Sequence, residues 1–311
     1  MKLVSVVVPT RNEEHALEKL LKSLKKQTYK NYELIVVDGG STDDTAGVAK
    51  KYGAKVIKEY GKYKSPANAR NIGVEKAKGD IIIVFDCDYE VDEKFLERGV
   101  KTFSSEETVG VICAHRLAED TLVEKILASK IEAHPEIVHV YPAFTRKGFI
   151  QKMGGWDSLL GYGEDRELNK NMLEYNERKK HKALKTGGPA VTIHLPHTLK
   201  EVTAQQRWYG RTIFYYLKKS KNPREYLALL KLFYVLVPAA VLMTIFQADF
   251  WLPVVVISAP FILISLYRTV LALLRKKTAG LGIFFVDIIM GFAFAYGLLE
   301  YVFGKKQRGR D

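Results

Sequence analysis

Cysteine is nearly missing from this chain: among 311 residues only Cys87 and Cys113 carry thiols. Two thiols so placed offer none of the spacings of a zinc centre, and they make no disulfide framework. They read as reduced, buried thiols. A G-x-G-x-x-G fingerprint is also absent after the first apolar run, which removes the basis for a dinucleotide-dependent oxidoreductase. No leader is expected before that run, because Lys2 gives way at once to Leu3-Val4-Ser5-Val6-Val7-Val8. The first domain is therefore expected to stay on the cytosolic side. Acidic residues are in deficit, 35 against 48 Lys and Arg, for a formal net charge of +13. Such a charge suggests nucleic acid or an anionic lipid surface as partner. Its position favours lipid. Lys218, Lys219, Lys221 and Arg224 precede long apolar runs, Arg275, Lys276 and Lys277 lie between them, and Lys305, Lys306, Arg308 and Arg310 follow them. That placement suits headgroups, so no nucleic-acid partner is expected.

What is present begins with alternating strand and helix signals. Leu3 to Val8, closed by Pro9, reads as a buried strand, and Leu34 to Val37 as another. Between them Ala16, Leu17, Leu20, Leu21 and Leu24 recur at helical spacing, giving one core face. Helices are expected over Thr42 to Tyr52 and Ala67 to Ala77, with strands at Ala54 to Ile57 and Ile81 to Phe85. Further strands are expected at Val109 to Ala114 and Val191 to Leu195, and helices at Leu122 to Ile131 and from Glu164 to about Asn176. This alternation predicts a mostly parallel α/β sheet flanked by helices, which binds ligands beyond the carboxyl ends of its strands. Pro9-Thr10, Asp38-Gly39 and Asp86-Cys87-Asp88 all fall at such ends.

The last third changes character. Leu232 to Ala248 and Phe250 to Tyr267 are free of charge, and Ala279 to Phe303 is apolar apart from Asp287 and Glu300. Each is long enough for a membrane span. The expected organisation is a cytosolic domain over residues 1–220, a membrane region of two to three helices over 221–304, and a basic tail over 305–311. Residues 200–220 read as an interfacial helix rich in Arg, Trp and Tyr. The protein is thus expected in the cell membrane, multi-pass, with its first domain in the cytoplasm. Basic flanks place the first two runs as a hairpin turning outside near Gln247-Ala248-Asp249, whereas a spanning third run leaves the basic tail outside.

Two carboxylates one residue apart just past a buried strand repel each other unless a cation joins them. Oxygen ligands of that kind suit Mn2+ or Mg2+, which take further ligands from substrate phosphates. Ala69-Arg70-Asn71-x-Gly73 adds a cation and an amide on a neighbouring helix, useful against a diphosphate. Glu164 and Asp165, alone, suit the first turn of a helix through its dipole.

Together, "VSVVVPTRNEE" (Val4 to Glu14), "VDGGSTDDT" (Val37 to Thr45), "ARNIGVEKAKGDIIIVFDCD" (Ala69 to Asp88) and "GGWDSLLGYGEDREL" (Gly154 to Leu168) are more specific than their parts. The chain resembles glycosyltransferase family 2, inverting sugar-nucleotide-dependent enzymes of the Rossmann-like GT-A fold, over about residues 3 to 215. The resemblance implies a UDP- or GDP-linked sugar donor. It implies that Pro9, Glu13 and Asp38 line the nucleoside pocket, that Asp86 and Asp88 hold the metal and bridge to the diphosphate, and that Arg70 offsets its charge. Asp165 matches the catalytic base, and Glu164 beside it is expected at the sugar and acceptor. Gly154, Gly155 and Trp156 match a loop near sugar and acceptor. His194 sits where some members place a histidine near phosphates or metal, or it is a hydrogen-bonded strand-end histidine.

Gln205-Gln206-Arg207-Trp208 resembles the Q-x-x-R-W of processive polysaccharide synthases, but no glutamine stands three residues before Arg207. Arg207 and Trp208 either shape an acceptor entrance or belong to the interfacial helix. The expected acceptor is a lipid, such as a polyprenyl phosphate, lipid-linked saccharide or glycolipid. The competing class is a catalytically silent nucleotide-binding membrane sensor or scaffold.

Overall fold

Strings of β-branched residues too apolar for any exposed position build the centre of the observed sheet. The computed structural model describes residues 2–103, 105–132, 143–219, 263, 265–274 and 278–302. Strands β1 (Val4–Thr10), β2 (Tyr32–Asp38), β3 (Lys55–Lys58), β4 (Ile81–Val84), β6 (Gly110–Ile112), β8 (Ala143–Arg146) and β9 (Leu184–Lys185) form one sheet. Their order is β3-β2-β1-β4-β8-β6-β9. β1 lies parallel between β2 and β4, with Thr10 opposite Asp38 and Val7 opposite Val84. Of these strands β8 alone runs antiparallel to its neighbours. A smaller sheet joins β5 (Tyr89–Val91), β10 (Ala190–Ile193) and β7 (Ala114–Leu117).

Two apolar layers cover the large sheet. On one face, helix α1 (Glu14–Lys25) buries Leu17, Leu20, Leu21 and Leu24, the stripe expected from their spacing. α2 (Thr45–Lys51) and α4 (Phe95–Thr102) join that layer through Val48, Ala49, Phe95 and Leu96. On the other face lie α3 (Pro66–Lys76), α6 (Lys147–Lys152) and α7 (Glu164–Arg178). Ser65 caps α3, accepting the Asn68 N–H at 3.2 Å, and Pro66 occupies its first turn. Gly73 lets α3 close on β1: a Cβ there falls 2.1 Å from Val7 Cγ1.

One expected strand, Val109 to Ala114, is two. β6 joins the large sheet and β7 the small one, and the chain changes sheets at buried Cys113. An unbroken apolar run does not reveal that change, since both halves are strand-forming. The antiparallel β8 is likewise invisible in a short run with no turn signal.

The described elements divide into two compact units. The first holds both sheets with α1 to α4, α6 and α7. The second holds α5 (Leu122–Glu132), α8 (Leu199–Lys219), α9 (Ser265–Leu274), a 3-10 turn (Thr278–Gly282) and α10 (Ile283–Val302). α5 starts with a capping box, in which Glu124 N–H donates to Thr121 Oγ1 and Thr121 N–H to Glu124 Oε2. The run Leu232 to Ala248 lies outside the described residues, as does most of Phe250 to Tyr267, whose end opens α9.

Among the described residues, α10 is the one helix long and apolar enough to cross a membrane, 19 residues at mean hydropathy 1.8. Its two acids are paired inside the second unit. Asp287 meets Lys130 and, at 3.4 Å, Arg268. Glu300 accepts from Arg207 Nε at 2.7 Å and lies 3.8 Å from Arg211 Nε. Glycines bring α8 and α10 into backbone contact: a Cβ on Gly210 falls 1.9 Å from the Phe294 carbonyl, and one on Gly297 1.9 Å from the Arg207 carbonyl. Small residues and paired charges are how apolar helices associate in a lipid-like surrounding.

Gly73→Ala is expected to destabilise the first unit by about 1–3 kcal/mol, because Val7 and the rigid strand behind it have no room to retreat. A lowered denaturant midpoint in the full-length protein is the readout.

Candidate active site

The carboxyl ends of β1, β2 and β4 each carry a motif, and hydrogen bonds between side chains and backbone lock the first two loops together. After β1, Asn12 adopts the left-handed conformation, φ 55°, and its side-chain oxygen accepts the Thr42 N–H at 2.8 Å. Ser41 Oγ accepts the Asn12 N–H at 2.9 Å, and Thr45 Oγ1 accepts that of Glu13 at 3.0 Å. The T-R-N-E loop is thereby fixed on the D-G-G-S-T-D-D-T loop. Asp38 stands at the end of β2, where one of its oxygens accepts both the N–H and the hydroxyl of Ser41, at 3.0 and 2.5 Å. Gly39 lies beside Glu59, a residue not anticipated from the sequence. Glu59 follows β3, accepts from the Ser65 N–H and the Asn68 amide, and has its pKa pushed up by burial.

Past β4, Asp86 and Asp88 flank Cys87. Asp86-Cys87-Asp88 forms a turn in which the Tyr89 N–H donates to the Asp86 carbonyl at 3.4 Å, and the Cys87 thiol packs in the core cluster and approaches the Pro9 carbonyl at 3.8 Å. Burial drives its pKa well up, and the carboxylates of Glu13, Asp86 and Asp88 push the same way. Pro9, at the end of β1, and Asp86 and Asp88, past the end of the adjacent β4, thus border Cys87. The small sheet reaches this turn too, since the His194 N–H donates to the Asp88 carbonyl at 2.8 Å. His194 Nε2 lies 3.1 Å from Glu90 Oε2.

Helix α3 joins this cluster to α7. Arg70, 4% exposed, contacts Asp86 Oδ1 through Nη2 at 2.8 Å and Glu164 Oε1 through Nη1 at 2.5 Å. Asn71 grips the Gly-Gly-Trp loop at two points, accepting the Trp156 N–H at 3.0 Å and donating to the Trp156 carbonyl at 2.6 Å. Gly155, φ +66°, leaves the space this clamp needs, since a Cβ there falls 2.5 Å from Asn71 Oδ1. Sequence reasoning set Arg70 and Asn71 against a diphosphate; in the fold both engage protein groups. Glu164 is buried at the start of α7, and Asp165 beside it is half-buried. Burial raises the Glu164 pKa to about 7, against the pull of Arg70. Arg207 and buried Trp208 lie in the second unit, where Arg207 pairs with Glu300 and stands over the Tyr296 ring.

Asp86 and Asp88 suit a divalent cation by donor type, since both offer carboxylate oxygens, which hard cations take. Arg70 engages one Asp86 oxygen while the Asp86 side chain stays 38% exposed, and Asp88 is exposed at the same edge.

Residues 5–164, about half of the chain, match the family described as Glycosyl transferase family 2. The chain belongs to that family. Glycosyltransferase AglE of Haloferax volcanii is 37% identical over 108 residues, 32% of this chain and 35% of that protein. The dolichyl N-acetyl-alpha-D-glucosaminyl phosphate 3-beta-D-2,3-diacetamido-2,3-dideoxy-beta-D-glucuronosyltransferase of Methanococcus voltae is 34% identical over 110 residues, 33% of this chain and 34% of that protein. The match spans about a third of the length of these curated relatives. Among solved structures, the mannosyltransferase PcManGT from Pyrobaculum calidifontis in complex with GDP-Man and Mn2+ superimposes with a TM-score of 0.55 at 18% identity, covering 97% of this chain and 87% of that one. S. aureus TarS in complex with UDP gives 0.51 at 17% identity, covering 98% and 92%. These likenesses establish the GT-A fold.

The Glu164 carboxyl titrates above its ordinary 4.5 in the folded chain. Its neutral form favours the fold fully below that ordinary value, and the contribution is lost as pH rises through about 7. Denaturant midpoints are expected to fall as pH rises from about 4.5 to about 7, and Glu164→Gln to flatten that fall.

Proposed function

We propose that this family 2 enzyme moves a sugar from a UDP- or GDP-linked donor to a membrane-embedded acceptor, inverting the anomeric centre. One arrangement carries this reading: the adjacent carboxyl ends of β1 and β4 lead into Glu13 and into Asp86 and Asp88, and Arg70 joins Asp86 to Glu164, the neighbour of Asp165. Pro9, Glu13 and Asp38 hold the nucleoside, with Asp38 reading the base. Asp86 and Asp88 hold Mn2+ or Mg2+, with His194 beside them. A cation bound there supplies electrostatic stabilisation of the departing diphosphate. Gly155 and Trp156 face sugar and acceptor.

Asp165 takes the proton of the acceptor hydroxyl as its oxygen attacks the anomeric carbon. The bond to the diphosphate breaks, and the nucleoside diphosphate leaves with the electron pair. Where the acceptor is a lipid phosphate, already anionic, Asp165 positions it instead.

The membrane acceptor is supported by the anchor-like α10, by the flanking basic residues and by the relative whose name specifies a dolichyl phosphate substrate. In this reading the first unit faces the cytoplasm. A multi-pass arrangement rests on the charge-free runs Leu232 to Ala248 and Phe250 to Tyr267. Arg207 and Trp208 are assigned to the α8–α10 association, with any acceptor contact secondary.

The test is a screen of UDP- and GDP-sugars with Mn2+, with and without total membrane lipid, the labelled product identified by mass. A single-sugar lipid product is expected, abolished by EDTA. Asp165→Asn is expected to lower kcat by about a hundredfold to ten-thousandfold while nucleotide binding persists. Nucleotide binding without transfer to any lipid supports the sensor class instead, and long saccharide chains support a processive synthase.

A further inference from the structure

The guanidinium of Arg70 sits where the proposed cation site, the diphosphate and the proposed base all border it, yet its surroundings are those of an internal strut. Side-chain exposure is 5% for Arg70 and 9% for Glu164. Nη1 faces Glu164 and Nη2 faces Asp86, so each terminal nitrogen of a rigid planar fork already has a carboxylate. Turning that fork toward a phosphate breaks both pairs and leaves buried Glu164 without its counter-charge, which is strongly unfavourable. A direct phosphate grip is therefore the less economical use of this residue.

We infer that Arg70 and Glu164 are positioning residues, Arg70 acting on cation and diphosphate only through Asp86, and Glu164 setting how much of the Arg70 charge falls on Asp86. The inference rests on the proposed function, in that Asp86 is taken as a cation ligand.

Two physical consequences follow. The first is orientational. One Asp86 oxygen is fixed by Arg70, so the carboxylate offers its other oxygen in a set direction. Because Glu164 is the first residue of α7, the same strut ties the start of that helix, and with it Asp165, to the end of β4. The second is electrostatic. A carboxylate held by a full guanidinium charge attracts a divalent ion less strongly. Glu164 draws part of that charge away, so Asp86 keeps more of its own for the ion. Asp86 and Glu164 share one guanidinium, and Asp88 adds a further negative charge, so the site as a whole stays anionic.

The test uses the full-length chain and two binding measurements that need no turnover, made at about pH 8, where Glu164 is ionised. They are Mn2+ binding, followed by the electron-paramagnetic signal of the free ion, and UDP or GDP binding in EDTA. Glu164→Gln keeps the shape and removes the charge. It is expected to weaken Mn2+ binding by about threefold to tenfold while metal-free nucleotide affinity stays within about twofold. Arg70→Lys, whose ammonium cannot bridge both acids, is expected to leave metal-free nucleotide affinity in the same range while kcat falls more than KM rises.

A tenfold or greater loss of metal-free nucleotide affinity in Arg70→Lys makes Arg70 a diphosphate ligand and overturns the inference. Unchanged Mn2+ binding in folded Glu164→Gln overturns it too. Thermal melts establish that each variant is folded, and if Glu164→Gln is not, Arg70→Lys decides through its nucleotide arm. A wild-type chain that binds neither Mn2+ nor nucleotide defeats the proposed function itself. Wild-type binding with unresponsive variants defeats only the positioning role.

Discussion

A charge taken out of water between two carboxylates from distant stretches of chain is the constraint around which the first unit is organised. Arg70 brings the end of β4 and the start of α7 to within hydrogen-bonding distance of one guanidinium, although 94 residues separate it from Glu164. Burial makes each of these groups depend on the others. An isolated guanidinium at this depth is prohibitively unfavourable, and so is an isolated Glu164 carboxylate, whose pKa rises to about 7 even with Arg70 beside it. Packing that holds α3 and α7 on the sheet is what keeps the three groups together.

Helix α3 shows how much one short segment can organise. Its Arg70 takes the acids, Asn71 clamps the backbone of Trp156, and Gly73 opens the space that lets the helix sit directly on β1. These three residues fall within four positions. The helix shows almost no apolar stripe, because its buried positions are small or polar: Ala67, Ala69, Arg70 and Gly73 lie inside with Ile72 and Val74. Close approach here comes from small size, and the guanidinium brought inside is paired through both terminal nitrogens.

In the second unit the same rule works in an apolar setting. Asp287 and Glu300 interrupt α10 in the sequence and read there as obstacles to a membrane helix. In the fold each is buried with basic partners from α5, α8 or α9. Gly210 and Gly297 place the α8 and α10 backbones in contact, and Phe214 and Tyr215 meet Tyr301 at one end of that pair. The helix is therefore apolar in composition and specific in its associations.

Periodicity and β-branched runs alone locate β1, β2, β4 and the leucine stripe of α1, because those elements bury one whole face or both and so leave a regular trace. Motif spacing alone selects Asp38, Asp86, Asp88 and Asp165, and the family they point to. The split of Val109 to Ala114 between two sheets and the reversed β8 left no such trace, since short apolar runs look alike in either direction. Partner choice was equally out of reach. The motif A-R-N-x-G contains a cation and an amide, and nothing in their order says whether they face a ligand or the protein. Only the tertiary structure decided that Arg70 lies between Asp86 and Glu164 and that Asn71 holds Trp156. The residues that fill those contacts are 16 to 94 positions away along the chain, and their pairing is determined by which groups burial leaves in need of a counter-charge or a hydrogen bond.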